Sequence, residues 1–199
     1  AWRRSIEQIK VGQSEREIRN NLEQNMRLLG ADDVAFSSIV AAGPNSAIPH
    51  HEATDRKVAS GDFLKIDFGA KIAGYHADCT RTVVVGKAAD WQVEIYQALA
   101  GAQLAGRNAL SAQATFLAVE TAVGETLKNS GHLEFFRHGL GHGVGLEIHE
   151  TPFFGRGSHD KIAENTVLTI EPGIYLRDRG GVRIEDTVVV TVDSYENLT

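Results

Sequence analysis

Two stretches of this chain repeat one another, and the repeat limits the folds open to it. FLKIDFGAKIAGYHADCTRTVVV begins at Phe63, and VLTIEPGIYLRDRGGVRIEDTVVV begins at Val167. In each, an apolar run ends in isoleucine and a carboxylate, Ile66-Asp67 and Ile170-Glu171. Glycine follows two positions later, at Gly69 and Gly173. After a short excursion a second carboxylate, Asp78 or Glu185, stands just ahead of a threonine and three valines. Self-similarity of this kind implies two copies of one supersecondary unit.

Helical signals precede both copies. Ser14 and Glu17 have the spacing of a capping box. Ile18, Leu22, Met26 and Leu29 form an apolar stripe at helical spacing, which Gly30 stops. A shorter helical segment lies near Trp2 to Lys10. Asp90 stands where it would cap a helix from Trp91 to about Asn108, and Thr115 where it would cap one running to about Lys128. Strands are expected at Val34–Ala42, Phe63–Phe68, about His76–Val85, Thr166–Ile170 and Val182–Val190, with AAGPNSAIPHHEATD a loop and Gly180-Gly181 a hairpin turn. The fold class is therefore α+β. A single domain over residues 1–199 divides into two pseudo-symmetric ααβββ halves, roughly 1–88 and 89–199.

The stretch FRHGLGHGVGLEIHE, Phe136 to Glu150, carries three histidines and four glycines. His138 and His142 have the spacing of a helical metal pair, but four glycines disfavour a helix. By parity, His138, Leu140, His142, Val144 and Leu146 share one face of an extended strand, and the glycines lie bare on the other. Spacing alone leaves both His138 and His142 open as ligands.

Asp67, Asp78, Glu171 and Glu185 stand at the ends of Val/Ile-rich runs. An uncompensated buried charge costs several kcal/mol. Four acids placed symmetrically in two repeats converge if the halves pack face to face, and such a cluster needs cations. Two divalent ions would nearly neutralise it. Oxygen donors with one imidazole suit manganese, iron, cobalt or zinc. Ions about 3.5–4 Å apart could activate a water and polarise a carbonyl.

Composition narrows the partners. A net charge of -6 argues against nucleic acid, which needs clustered cations. No apolar run approaches the roughly 20 residues of a membrane span. The single cysteine, Cys79, excludes an internal disulfide framework and fits a reducing, cytoplasmic compartment. By strand parity Cys79 faces away from Asp78 into the core, and His76, which could share the face of Asp78, is expected either behind the ligands or at the rim. His51 is expected in the loop, solvated or near substrate.

With IDFG, HADCTRT, HGLGHGVGLEIHE, TIEPGIY and GVRIEDT in this order, the chain resembles the pita-bread metallopeptidases. These comprise methionine aminopeptidase, aminopeptidase P and prolidase, with creatinase as a metal-free relative. The wording of HGLGHGVGLEIHE and GVRIED resembles the prolidase and aminopeptidase P branch. The resemblance implies a pita-bread fold around a dinuclear centre. Two divalent ions are implied, Mn2+ foremost, with Co2+, Fe2+ or Zn2+ as alternatives, and no organic cofactor. In this reading Asp67 holds one metal alone, Asp78 and Glu185 bridge, and His142 and Glu171 hold the second metal, with His138 as a supporting neighbour. His50 and His149 match substrate-facing histidines, and Glu171 matches the group that moves the water's proton. Tyr175 and Arg183 match residues that orient the ligands.

The activity so implied is hydrolysis of the bond between an N-terminal residue and proline by a metal-bridging hydroxide. The partner is then a small peptide with proline second, and a homodimer is among the assemblies implied. The family's usual N-terminal domain lies outside this chain. The alternatives are a methionine aminopeptidase-like activity or a non-catalytic binding scaffold of the same fold.

Overall fold

The computed structural model describes residues 1–155 and 157–199. The first half opens with α1 (Trp2–Ile6) and α2 (Glu15–Leu28). Ser14 caps α2. Its hydroxyl accepts from the Glu17 amide at 3.1 Å, and the Glu17 carboxylate accepts from the Ser14 amide at 2.6 Å. Then come β1 (Asp33–Val34), β2 (Ile39–Ala42), a 3-10 turn (Gly43–Ala47), β3 (Phe63–Phe68), β4 (Ala70–Ile72), β5 (Tyr75–His76) and β6 (Cys79–Val84). The second half repeats the plan with α3 (Asp90–Asn108), α4 (Phe116–Asn129), a 3-10 turn (Leu133–Phe135), β7 (His142–Gly143) and β8 (Glu150–Phe153). It continues with β9 (Val167–Ile170), β10 (Gly173–Leu176), β11 (Gly180–Arg183), β12 (Asp186–Val190) and β13 (Tyr195–Asn197).

The sequence repeat is a repeat of topology. Strands β2-β3-β6 form one antiparallel sheet, and β7-β9-β12 run antiparallel at the heart of the other, extended by β8 and β13. Each half also throws out a hairpin, β4-β5 or β10-β11, between its two matching strands.

Strand β3 is buried on both faces, as its unbroken apolar run requires. Leu64, Ile66 and Phe68 pack with Ile18, Leu22 and Met26 of α2 and with Val40. The opposite parity, Phe63, Lys65 and Asp67, therefore points at the second half. In β9, Leu168 and Ile170 pack with Leu99, Val119 and Val123 of α3 and α4. This leaves Thr169 and the following Glu171 on the inner side. Removing a fully buried side chain such as Leu64 or Leu168 would cost about 2–5 kcal/mol.

Several expected elements are divided. The segment expected as one strand over Val34–Ala42 breaks between β1 and β2, because the two pair with different sheets. His76–Val85 breaks at Ala77-Asp78, and Val182–Val190 breaks at Ile184-Glu185. The breaks fall at equivalent places and turn one carboxylate from each half inward. The hairpin turn precedes Gly180-Gly181: Arg177–Arg179 make it, with Asp178 at φ 60°, and the glycines begin β11. Helix α3 is capped at Ala89, whose amide donates to the Gln92 side chain, so Asp90 is its first residue and not its cap.

The glycine-alternating stretch is a regular strand only at His142–Gly143. Its bare face does what the parity implied. A Cβ on Gly141 would lie 2.0 Å from the Thr169 carbonyl oxygen, and one on Gly143 2.7 Å from that of Glu150. The backbones pack too closely for any side chain.

Candidate metal centre

Four strand ends and one strand converge between the halves. Asp67 is the last but one residue of β3, Asp78 precedes β6, Glu171 follows β9, Glu185 precedes β12, and His142 opens β7. All five line one cavity of ≈ 330 Å³ together with His50, His138 and His149. One ligand atom each from Asp78, His142 and Glu185 lies within 4.8 Å of the other two, a grouping able to hold a cation. His142 Nε2 is 3.3 Å from Glu171 and 3.6 Å from Asp78. Its Nδ1 lies 3.0 Å from the Gly143 carbonyl, and donation there leaves the Nε2 lone pair facing the acids.

The donor set fits divalent cations on a direct observation. Asp67 Oδ1, Asp78 Oδ1 and Glu185 Oε1 are buried and find no hydrogen-bond partner among the described residues. Buried carboxylate oxygens are seldom left bare, because desolvation without compensation is expensive. Burial, and then the charges of neighbouring acids, push the Asp78 and Glu185 carboxyls well above the usual carboxylate range. Burial also tends to raise Glu171, but its hydrogen bond to His142 and the charge of Arg183 outweigh this and lower it. For His142, burial lowers the pKa and the Glu171 contact more than restores it, so the net shift is upward.

The remaining oxygens are held by a frame. Glu185 Oε2 accepts from the Thr80 hydroxyl at 2.6 Å. Arg183, 1% exposed, donates to Asp67 Oδ2, to Tyr175 Oη at 3.0 Å, to Thr80 Oγ1 at 3.1 Å and to the Pro49 carbonyl at 3.0 Å. Tyr175 Oη also meets His138 Nε2 at 2.8 Å. His138 therefore touches Tyr175 and stands outside the Asp78-His142-Glu185 grouping. His149 stacks edge-on to His142 at 4.3 Å between ring centroids. Phe36, Ile39, Ile148, Phe153 and Phe154 supply the apolar wall.

Three other placements follow from packing. Cys79 is buried in the first-half core, away from Asp78, and burial pushes its thiol up to about 12. His76 sits at the surface rim, with its Nδ1 3.3 Å from the Gly145 carbonyl. His51, expected to be solvated or near substrate, is instead buried against Glu15 at 2.8 Å. Glu15 and Lys65 escaped the sequence reading altogether. Glu15 stands in the first turn of a helix, where an acid is ordinary. Only the unbroken apolar flanks of Lys65 hinted at burial.

The model of metallopeptidase family M24 matches residues 1–192. The Xaa-Pro dipeptidase of Pyrococcus furiosus is 42% identical over 195 residues, which cover 98% of this chain and 56% of that protein. An uncharacterized peptidase of Bacillus subtilis is 39% identical over the whole chain, again with 56% of its length covered. Among solved structures, the X-Pro aminopeptidase of Thermotoga maritima superimposes with a TM-score of 0.97 at 41% identity, covering 100% of this chain and 56% of that one. Aminopeptidase P of Escherichia coli, solved with substrate, superimposes at 0.92 and 28% identity, covering 98% of this chain and 51% of that one. The chain thus spans about half the length of the curated relatives it matches.

Proposed function

The chain belongs to metallopeptidase family M24, and from that membership we propose that it carries the catalytic centre of an Xaa-Pro peptidase. Its fold is the pita-bread fold of the prolidase and aminopeptidase P structures that it superimposes on. The substrate is a peptide with proline in second position, as the names of the similar relatives suggest. The observation that carries this reading is the set of three unpartnered carboxylate oxygens, on Asp67, Asp78 and Glu185, lining one cavity with His142.

In this reading Asp67, Asp78, His142, Glu171 and Glu185 would hold two divalent cations, and Asp78 and Glu185 would serve both. Manganese is the first candidate, and cobalt, iron and zinc suit the same oxygen-rich set. Such cations supply a Lewis acid and a water of lowered pKa. Glu171, close to His142 and held ionised by it, would accept the attacking water's proton and deliver it to the departing proline nitrogen. His50 and His149 lie at the cavity wall and orient the scissile peptide. Arg183, itself bonded to Tyr175, fixes the Asp67 carboxylate, so that the ligand does not have to reorganise during reaction. We assign the protein to the cytoplasm on the strength of its single, buried thiol.

The test is metal analysis of protein purified without chelator, followed by side-by-side assay of Gly-Pro, a longer Xaa-Pro-Yaa peptide and a Met-Ala peptide with manganese and then cobalt. Turnover confined to the Xaa-Pro substrates is expected. Absence of any bound transition metal, with no activity after metal addition, would overturn the reading.

A further inference from the structure

The loop from Gly43 to Thr54 carries His50 into the cavity, and it is braced from both sides. Glu15, 0% exposed, accepts five hydrogen bonds. Its Oε1 takes the Ala42 amide at 2.7 Å and the Asn45 side chain at 2.9 Å, where the loop begins. Its Oε2 takes His51 Nε2 at 2.8 Å, and the Thr54 amide and hydroxyl at 2.9 and 2.6 Å, where it ends. One carboxylate therefore ties both ends of the loop to the first turn of α2, where the helix dipole favours negative charge. Burial tends to raise the Glu15 carboxyl, but these donors outweigh it, led by Thr54, so its pKa is lowered and the acceptor stays ionised.

The other side is held by two buried donors. Lys65, 0% exposed, donates to the Ile48 carbonyl at 2.6 Å and the Pro49 carbonyl at 3.1 Å, and Arg183 donates to the same Pro49 oxygen. The residue before His50 is thus fixed through its carbonyl, and the residue after it through its side chain. His50 itself is exposed and lines the cavity, while His51 is buried. The two neighbouring imidazoles face opposite ways, one to work and one to hold.

We propose that the Glu15–His51 pair is a positioning device for His50, fixing its imidazole at the cavity wall through the backbone of the Gly43–Thr54 loop. The proposal rests on the reading of His50 as a substrate-facing group. A misplacement of about 1 Å at such a group can cost on the order of 100-fold in rate, which is the reason to brace a loop whose only regular structure is the 3-10 turn at Gly43–Ala47.

The test uses His51→Ala and His51→Gln in the full chain. Hydrogen exchange, followed by mass spectrometry on metal-free and metal-loaded protein, reads the loop directly. His51→Ala should speed exchange over residues 43–54 by about tenfold or more, the factor that one hydrogen bond to a charged group accounts for, and leave α3 and α4 unchanged. His51→Gln, which can still donate to Glu15, should restore protection. In the assay, His51→Ala should lower kcat/KM while metal content holds. Adding it to His50→Ala should cost nothing further, because it acts only through His50. Unchanged exchange, or losses that multiply in the double variant, would overturn the proposal. A wild-type protein that cleaves no Xaa-Pro peptide would sink the functional reading instead, and exchange would still decide the brace.

Discussion

Thr80 and Glu185 clasp one another across the two halves. The Thr80 hydroxyl donates to Glu185 Oε2 at 2.6 Å, and the Glu185 amide donates to the Thr80 carbonyl at 3.2 Å. The same hydroxyl oxygen accepts from Arg183 Nε at 3.1 Å. A carboxylate of the second half is therefore set by a strand of the first.

Thr80→Val keeps the shape and removes the hydroxyl. It strands a buried carboxylate oxygen and a guanidinium N–H, so it should destabilise the fold by about 1–3 kcal/mol. Metal affinity should fall as well, because Glu185 loses its restraint. Denaturant titration and calorimetric metal titration check the two effects. Full affinity with reduced stability would mean that Glu185 does not act as a ligand.

Glu185→Gln should separate the cost of the carboxylate cluster from its use. Without metal, replacing a carboxyl that burial and its neighbouring acids raise well above the usual range removes a group that is costly to ionise, and should stabilise the protein at neutral pH. With metal, the variant should lose both ions together, whereas His142→Ala should mainly weaken one site. Thermal melts with and without chelator, beside metal titrations, check this. Loss of one ion by Glu185→Gln and of both by His142→Ala would reverse the bridging assignment.

Metal binding should release protons. Asp78 and Glu185 are raised from 4.5 or below, so the metal-free chain holds protons where ordinary carboxylates have lost them. Cations must displace those protons, and affinity should weaken as pH falls. For the metal-free fold the sign is the opposite of that for an ordinary salt-bridged acid. With folded pKa values above the unfolded ones, these two groups' contribution is most favourable below about pH 4 and declines as pH rises towards the folded values. Calorimetry at about pH 6 in buffers of different ionisation enthalpy measures the release. Binding heats independent of buffer would contradict it.

Gly141→Ala should disturb the centre without touching a ligand. Its methyl would meet the Thr169 backbone at 2.0 Å, next to the hydroxyl that accepts from the His142 amide at 3.1 Å. A loss of about 1–3 kcal/mol is expected from overpacking, with weaker metal binding. Gly124→Ala in α4, where a Cβ meets nothing within 4 Å, is the control and should stabilise slightly. Equal melting temperatures for the two variants would rule out the close approach.

What the sequence disclosed followed periodicity. Asp67 and Glu171 stood out because the repeat sets both at matching ends of apolar runs, and the glycine face of Gly141 and Gly143 was legible from strand parity. Asp78 and Glu185 were legible through the repeat, although the breaks that turn them inward were not, since Val-rich runs read as continuous. The His50–His51 loop has no period to say which imidazole faces in, so His51 was misplaced. Glu15 and Lys65 form contacts 27 to 39 and 16 to 17 positions away, and nothing local marks their partners.

The division of the centre between two halves also sets an order in time. Asp67 and Asp78 are synthesised first, and 107 positions separate Asp78 from Glu185. At ~5–20 residues per second, the acids of the first half wait roughly 5–20 s for their counterparts. A nascent chain cannot assemble the five-residue set until Glu185 has left the ribosome. If the set holds metal as proposed, capture follows the synthesis of β12.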